Sequence, residues 1–111
     1  MREITYQKIV ETVAGLCVEA NTRLPEDVRR AIVGRQESEA SPVGRAILGD
    51  LVENFTFAAG KGLPICQDTG MAVVYAELGQ EVHITGGLLS DAVNEGVARG
   101  YTEGHLRCSV V

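Results

Sequence analysis

Along the first twenty residues, Ile9, Val10, Val13, Leu16, Cys17 and Ala20 recur at three- and four-residue spacing. That period predicts a helix from Ile4 to Glu19 with one buried stripe. Asn21 and Thr22 interrupt it, and Leu24-Pro25-Glu26-Asp27 then starts a second helix, with proline near the first position and carboxylates in the first turn. Val28, Ile32 and Val33 form its apolar edge, and the polar stretch from Gly34 to Ala40 ends it. Ser41-Pro42 signals a cap and first turn for a third helix, in which Val43, Ile47, Leu51, Phe55 and Ala58 repeat every three or four residues. It runs to about Ala59, and Gly60 and Gly62 close it.

The period then changes. Met71 to Leu78, with Val73, Val74 and Tyr75, suits a buried strand, and Val82 and Ile84 alternate with Glu81, His83 and Thr85 as a half-exposed strand would. With Gly79 and Gln80 as the turn, these two runs predict a hairpin. Gly86 and Gly87 open a fourth helix from about Leu88 to Arg99. Its small residues Ala92, Gly96 and Gly100 would let another backbone approach closely. Leu106 to Val111 is strand-like. The predicted fold class is α+β, with amino-terminal helices packed against a small mixed sheet. The apolar ending Val110-Val111, where a native terminus is usually solvated, predicts that residues 1–111 are the front part of a longer chain.

Composition narrows the chemistry. The chain has 111 residues, 45% hydrophobic but only 5% aromatic, with no tryptophan. One core is possible, built from Val, Ile, Leu and Ala rather than large anchors, and such a core is easily left incomplete. The net charge of −5 provides no broad positive field for a nucleic-acid backbone, so nucleic acid is not an expected partner. A small anion needs only local cations, for which Arg107 and Lys61 are the candidates. No run reaches the ~20 apolar residues of a membrane span, and Met1 to Glu11 lacks the apolar run of a signal peptide. The expectation is a soluble, cytoplasmic protein with no membrane partner. Cys17, Cys66 and Cys108 are odd in number and far apart, which argues against a disulfide framework or a self-contained zinc site. Cysteine chemistry here is single-thiol or completed from elsewhere.

The segment Leu63-Pro64-Ile65-Cys66-Gln67-Asp68-Thr69-Gly70 sets a thiol, an amide, a carboxylate and a hydroxyl in succession between a proline that fixes the backbone and a glycine that frees it. By its residues alone it reads equally as a functional loop or as a structural cysteine followed by an ordinary turn. Its wording adds to that. Pro64-Ile65-Cys66-Gln67-Asp68-Thr69-Gly70 resembles the first cluster-ligand motif of class I fumarate hydratases and L-tartrate dehydratases. Gly96-Val97, Gly100-Tyr101 and Leu106-Arg107 followed by Ser109-Val110-Val111 resemble that family's helix and the arginine-bearing segment after it.

The resemblance implies that residues 1–111 are the amino-terminal part of an iron–sulfur hydro-lyase catalytic domain acting reversibly on a small dicarboxylate. Its cofactor would be a 4Fe-4S cluster held by three cysteines. Cys66 would be one ligand, and the other two are expected beyond Val111, so the isolated chain would lack both cluster and activity. Expected partners are the remainder of the catalytic domain, a beta subunit or carboxy-terminal domain, and an oligomeric assembly. The resemblance further implies that Gln67 binds substrate oxygens and that Asp68 is catalytic and substrate-binding. Arg107 would grip a substrate carboxylate through its planar fork. Asp68 could instead make an Asx-turn bond, and Arg107 could be a solvated charge on a strand. Cys17 and Cys108 are expected to be packed rather than ligating, and His83, His105 and Lys61 to be exposed without a role. Two other functional classes remain open: a non-catalytic subunit-interaction domain, and a single-thiol enzyme using Cys66 as nucleophile.

Overall fold

The computed structural model describes residues 1–109; Val110 and Val111, the end of the predicted last strand and of the arginine-segment motif, lie outside the described residues. The element order is β1 (Arg2–Thr5), α1 (Tyr6–Thr22), α2 (Glu26–Ser38), α3 (Pro42–Lys61), β2 (Val82–Thr85) and α4 (Leu89–Glu103). The fold class is α+β, as expected. The chain divides into two units, one of Met1–Glu19 with Asp68–Val111, the other of Ala20–Gln67.

In the first unit, β1 and β2 pair in parallel, with Ile4 opposite Ile84 and Thr5 opposite Thr85. This corrects the sequence reading twice. The chain start is a strand rather than the first turn of a helix: Thr5 Oγ1 accepts from Lys8 N at 3.1 Å, which caps α1 and sets its start at Tyr6. The predicted hairpin is also replaced. The Gly79–Val82 turn forms, with Val82 N donating to Gly79 O at 3.1 Å. Val82–Thr85 pairs with β1 instead, and residues 71–78 form no strand. The sheet is therefore parallel, not mixed.

The core of this unit lies between α1 and α4. Val10, Val13, Ala14 and Cys17 are buried on α1, and Leu106 joins Val13 and Cys17 in a cluster flanked by Ile9, Val93, Val97 and Tyr101. Leu16, expected in the stripe, is 56% exposed. The expected close approach at the small residues of α4 is present. A Cβ added at Gly96 would lie 2.9 Å from Val10 O, and one at Gly100 would lie 2.7 Å from Ala14 O. Backbone atoms cannot retreat as a side-chain end can. Gly100→Ala should therefore destabilise the chain by about 1–3 kcal/mol through overpacking, although alanine is the better helix former. Gly15, with nothing within 4 Å of an added Cβ, is the control: Gly15→Ala should stabilise by up to about 1 kcal/mol. Urea midpoints of the two variants check this; equal stability would contradict the close crossing.

Tyr6, at the start of α1, donates its hydroxyl to Glu95 Oε2 on α4 at 2.5 Å, and its ring lies against Gly87, where an added Cβ would meet Cδ2 at 2.5 Å. The bond to that carboxylate pushes the phenol up to about 12.

In the second unit, α2 and α3 pack side by side. Ser41 Oγ accepts from Gly44 N at 3.2 Å and Pro42 is the first helical residue, while Gly62 at φ 66 closes α3. α2 ends at Ser38, inside the polar stretch from Gly34 to Ala40. The predicted apolar positions of α3 divide: Phe55 and Ala58 are buried, whereas Val43, Ile47 and Leu51 are 69%, 56% and 47% exposed. One edge of the helix thus carries an uncovered apolar stripe.

Candidate functional site

Bonds to main-chain atoms fix the chain before Cys66 and after Asp68, each within its own unit. Before Cys66, within the second unit, Ile65 N donates to Asn21 O at 2.8 Å and Asn54 Nδ2 donates to Ile65 O at 2.8 Å. After Asp68, within the first unit, Thr69 is 8% exposed. Its Oγ1 donates to Arg107 O at 2.7 Å and accepts from Arg107 N at 2.9 Å, while Tyr101 Oη donates to Thr69 O at 3.1 Å. Cys66 and Gln67 in the second unit and Asp68 in the first are exposed. Exposed polar side chains on loop backbone are suited to meeting a ligand.

Asp68 makes the Asx-turn bond named above as its structural alternative, since Gly70 N donates to Asp68 Oδ1 at 2.9 Å. Gly70 itself is at φ 64, in the left-handed region that glycine adopts without strain. That backbone bond first, then a side-chain bond with Ser109 and the positive charge of Arg107, hold the Asp68 carboxyl below its usual range. The turn thus leaves an exposed, ionised carboxylate in the field of the Arg107 guanidinium.

Arg107 reaches this place through the end of α4. Leu106 N donates to Tyr101 O at 2.9 Å and His105 N to Thr102 O at 3.4 Å, the two bonds of a Schellman ending, with His105 at φ 53 in the left-handed position. The reversal puts Leu106 into the core, 7% exposed, and leaves the next side chain, Arg107, outside. The predicted strand does not form over Leu106 to Ser109; the Thr69 hydroxyl takes the Arg107 main-chain bonds that a strand partner would have taken.

Cys17 is buried, and burial pushes its thiol up. Cys108 is exposed, not packed, because without strand alternation it does not share the inward face of Leu106. It lines a shallow cleft of about 360 Å³ with Met71, Val74, Val93, Val97 and Tyr101. His83, His105 and Lys61 are exposed, as expected. Among the described residues, no group of three or more His, Cys, Asp or Glu side chains could hold a metal ion. Sequence reasoning did not assign Thr69, Asn54 or Tyr101 a role. Their bonds are to main-chain atoms distant in sequence, and no local pattern announces them.

Residues 10–111 match the sequence model of the fumarate hydratase (fumerase) family. The chain belongs to that family. It is 32% identical over 105 residues to a Methanocaldococcus jannaschii protein provisionally named L(+)-tartrate dehydratase subunit alpha, covering 94% of this chain and 37% of that protein. It is 32% identical over 102 residues to a provisionally named class I fumarate hydratase of Geobacillus stearothermophilus, covering 91% and 20%. With the L(+)-tartrate dehydratase subunit alpha of Escherichia coli K12 it shares 30% identity over 101 residues, covering 88% and 33%. The chain therefore spans between a fifth and somewhat over a third of the length of these relatives. Their names are those of hydro-lyases. No helix among the described residues is long and apolar enough to cross a membrane.

Proposed function

We propose that residues 1–111 are the amino-terminal part of the catalytic domain of a 4Fe-4S-dependent hydro-lyase that reversibly hydrates or dehydrates a small dicarboxylate, fumarate to malate or tartrate in its dehydration. The observation that carries this reading is the exposed run Cys66-Gln67-Asp68, continued by a buried Thr69 whose hydroxyl holds the main chain of Arg107. A thiolate, a carboxylate and a guanidinium are the three groups such a reaction asks of this part of the protein.

The donors present fit a cluster as the source of one ligand. Cys66 is exposed, Cys17 is buried in a helix core, and no described metal-binding group gathers around any of them. The other two thiolates come, on this reading, from residues outside this chain. When bound, an iron lacking a protein thiolate supplies Lewis-acid assistance to the loss of hydroxide from a 2-hydroxy acid. Arg107 binds one substrate carboxylate bidentately. Gln67 donates its amide to substrate oxygens. Asp68, held ionised by Gly70 and Arg107, accepts a hydrogen bond from the substrate hydroxyl and can receive a proton, but is not poised to donate one at neutral pH.

The uncovered apolar side chains support incorporation into a larger assembly. Val43, Ile47 and Leu51 lie along α3 in one unit; Met71, Val73, Val74 and Tyr75 are 65%, 64%, 44% and 93% exposed in the other. Contiguous apolar surface of this kind marks contact with further protein, here the remainder of the catalytic domain and a beta subunit or carboxy-terminal domain within an oligomer. Three reduced thiols suit a cytoplasmic location.

Anaerobic reconstitution tests the reading. The isolated chain should hold no stable cluster and show no hydratase activity. The complete protein should bind about four irons per cluster and convert malate or tartrate to its dehydrated product. A charge-transfer spectrum with that stoichiometry on the isolated chain, or an inactive iron-loaded complete protein, would contradict it.

A further inference from the structure

We propose that Thr69 is a positioning residue for substrate binding, its hydroxyl holding the Arg107 main chain against the Asp68 turn; this rests on the dicarboxylate reading above. Arg107 lies outside regular secondary structure, so no strand ladder fixes its backbone. One side-chain oxygen does so instead, donating to Arg107 O at 2.7 Å and accepting from Arg107 N at 2.9 Å. A hydroxyl is suited to this because it is donor and acceptor at one atom. Its own main chain is held in turn: Tyr101 Oη, from the last turns of α4, donates to Thr69 O at 3.1 Å.

The link acts on both recognition groups together. Asp68 precedes Thr69, and its turn closes on Gly70 immediately after it. Arg107 is gripped at both main-chain polar groups, so its guanidinium departs from a fixed base. A carboxylate gripped by a two-pronged cation beside Asp68 is sensitive to displacement of either group, and misplacement of a clamp by about 1 Å can cost on the order of a hundredfold. Burial strengthens the link, since Thr69 is 8% exposed and water has little access to replace its bonds.

Three variants separate positioning from packing. Thr69→Val keeps the shape and removes both bonds; Thr69→Ser keeps the hydroxyl and loses a methyl group. In the complete enzyme, Thr69→Val should raise KM for the dicarboxylate about tenfold or more with iron content unchanged, and Thr69→Ser should restore KM to within about threefold of the parent. In the complete protein, hydrogen exchange at the Arg107 amide should be at least about tenfold faster in Thr69→Val than in Thr69→Ser. Should Thr69→Val not fold, Tyr101→Phe, which lacks the hydroxyl on Thr69 O, should raise KM in the same direction by a smaller factor. An unchanged KM in folded Thr69→Val or in Tyr101→Phe, or an equal defect in Thr69→Ser, overturns the proposal. If the complete enzyme has no hydro-lyase activity at all, the function reading fails, and the amide exchange still decides whether the link exists.

Discussion

Arg107→Lys is expected to lower kcat/KM for the dicarboxylate in the complete enzyme about tenfold or more, equivalent to about 1.4 kcal/mol of transition-state binding, while leaving the melting temperature and iron content in place. The structure separates the two roles a residue here could play. The fold depends on the Arg107 main chain, which bonds to Thr69 through both its polar groups. The side chain is exposed and contributes nothing to the core that Leu106 enters beside it. Lysine retains the backbone and the charge but presents a point charge in place of a planar fork, so only bidentate recognition is lost. Steady-state kinetics with thermal unfolding of the same preparation checks this. Unfolding of the variant, or an unchanged kcat/KM, would remove Arg107 from the site.

Periodicity identified all four helices, because the local pattern of apolar residues and caps is strong in each. Ser41-Pro42 and Gly62 marked the ends of α3 where they fall. Burial was less legible. Val43, Ile47 and Leu51 have the spacing of a buried stripe and remain exposed; a sequence records which face is apolar, not which surface covers it. The same holds for residues 71–78, whose Val73-Val74-Tyr75 run has strand composition but no strand partner among the described residues. The hairpin reading failed for a further reason. Parallel pairing of β1 with β2 joins residues eighty apart, and no local signal competes with the nearby Gly79-Gln80 turn.

In the candidate site, the Cys66-Gln67-Asp68 run and Arg107 were legible as residues. What ties Asp68 to the Arg107 segment was not. Thr69, the next residue, bonds by its hydroxyl 38 positions away, and threonine in a polar loop is too common to signal this. The end of α4 was hidden for a related reason: His105, not glycine, occupies the left-handed position at φ 53, so the expected glycine mark of a helix end is displaced by one residue. Cys108 is exposed rather than packed, because the segment after Leu106 is held by its main chain to the Thr69 hydroxyl instead of lying in a strand.

Cys66→Ser in the complete enzyme is expected to abolish activity and destabilise the cluster, while Cys17→Ala and Cys108→Ala leave both largely intact. The contrast follows from surroundings. Cys66 stands exposed just after the anchor at Ile65, in the motif the family resemblance marks. Cys17 is enclosed between α1 and α4, where its thiol is pushed up and the thiolate that ligates iron is disfavoured. Cys108 is the more demanding control, because it is exposed and near the Asp68–Arg107 arrangement in sequence. Serine keeps the size of the side chain and removes the soft sulfur donor, so loss of iron would report ligation rather than collapse of the loop. The deciding measurement is the iron and sulfide content of anaerobically reconstituted complete enzyme carrying Cys66→Ser, beside Cys108→Ala. Loss of cluster in the first with retention in the second is the predicted result; a full cluster in Cys66→Ser, or its loss only in a folded Cys108→Ala, would contradict the assignment.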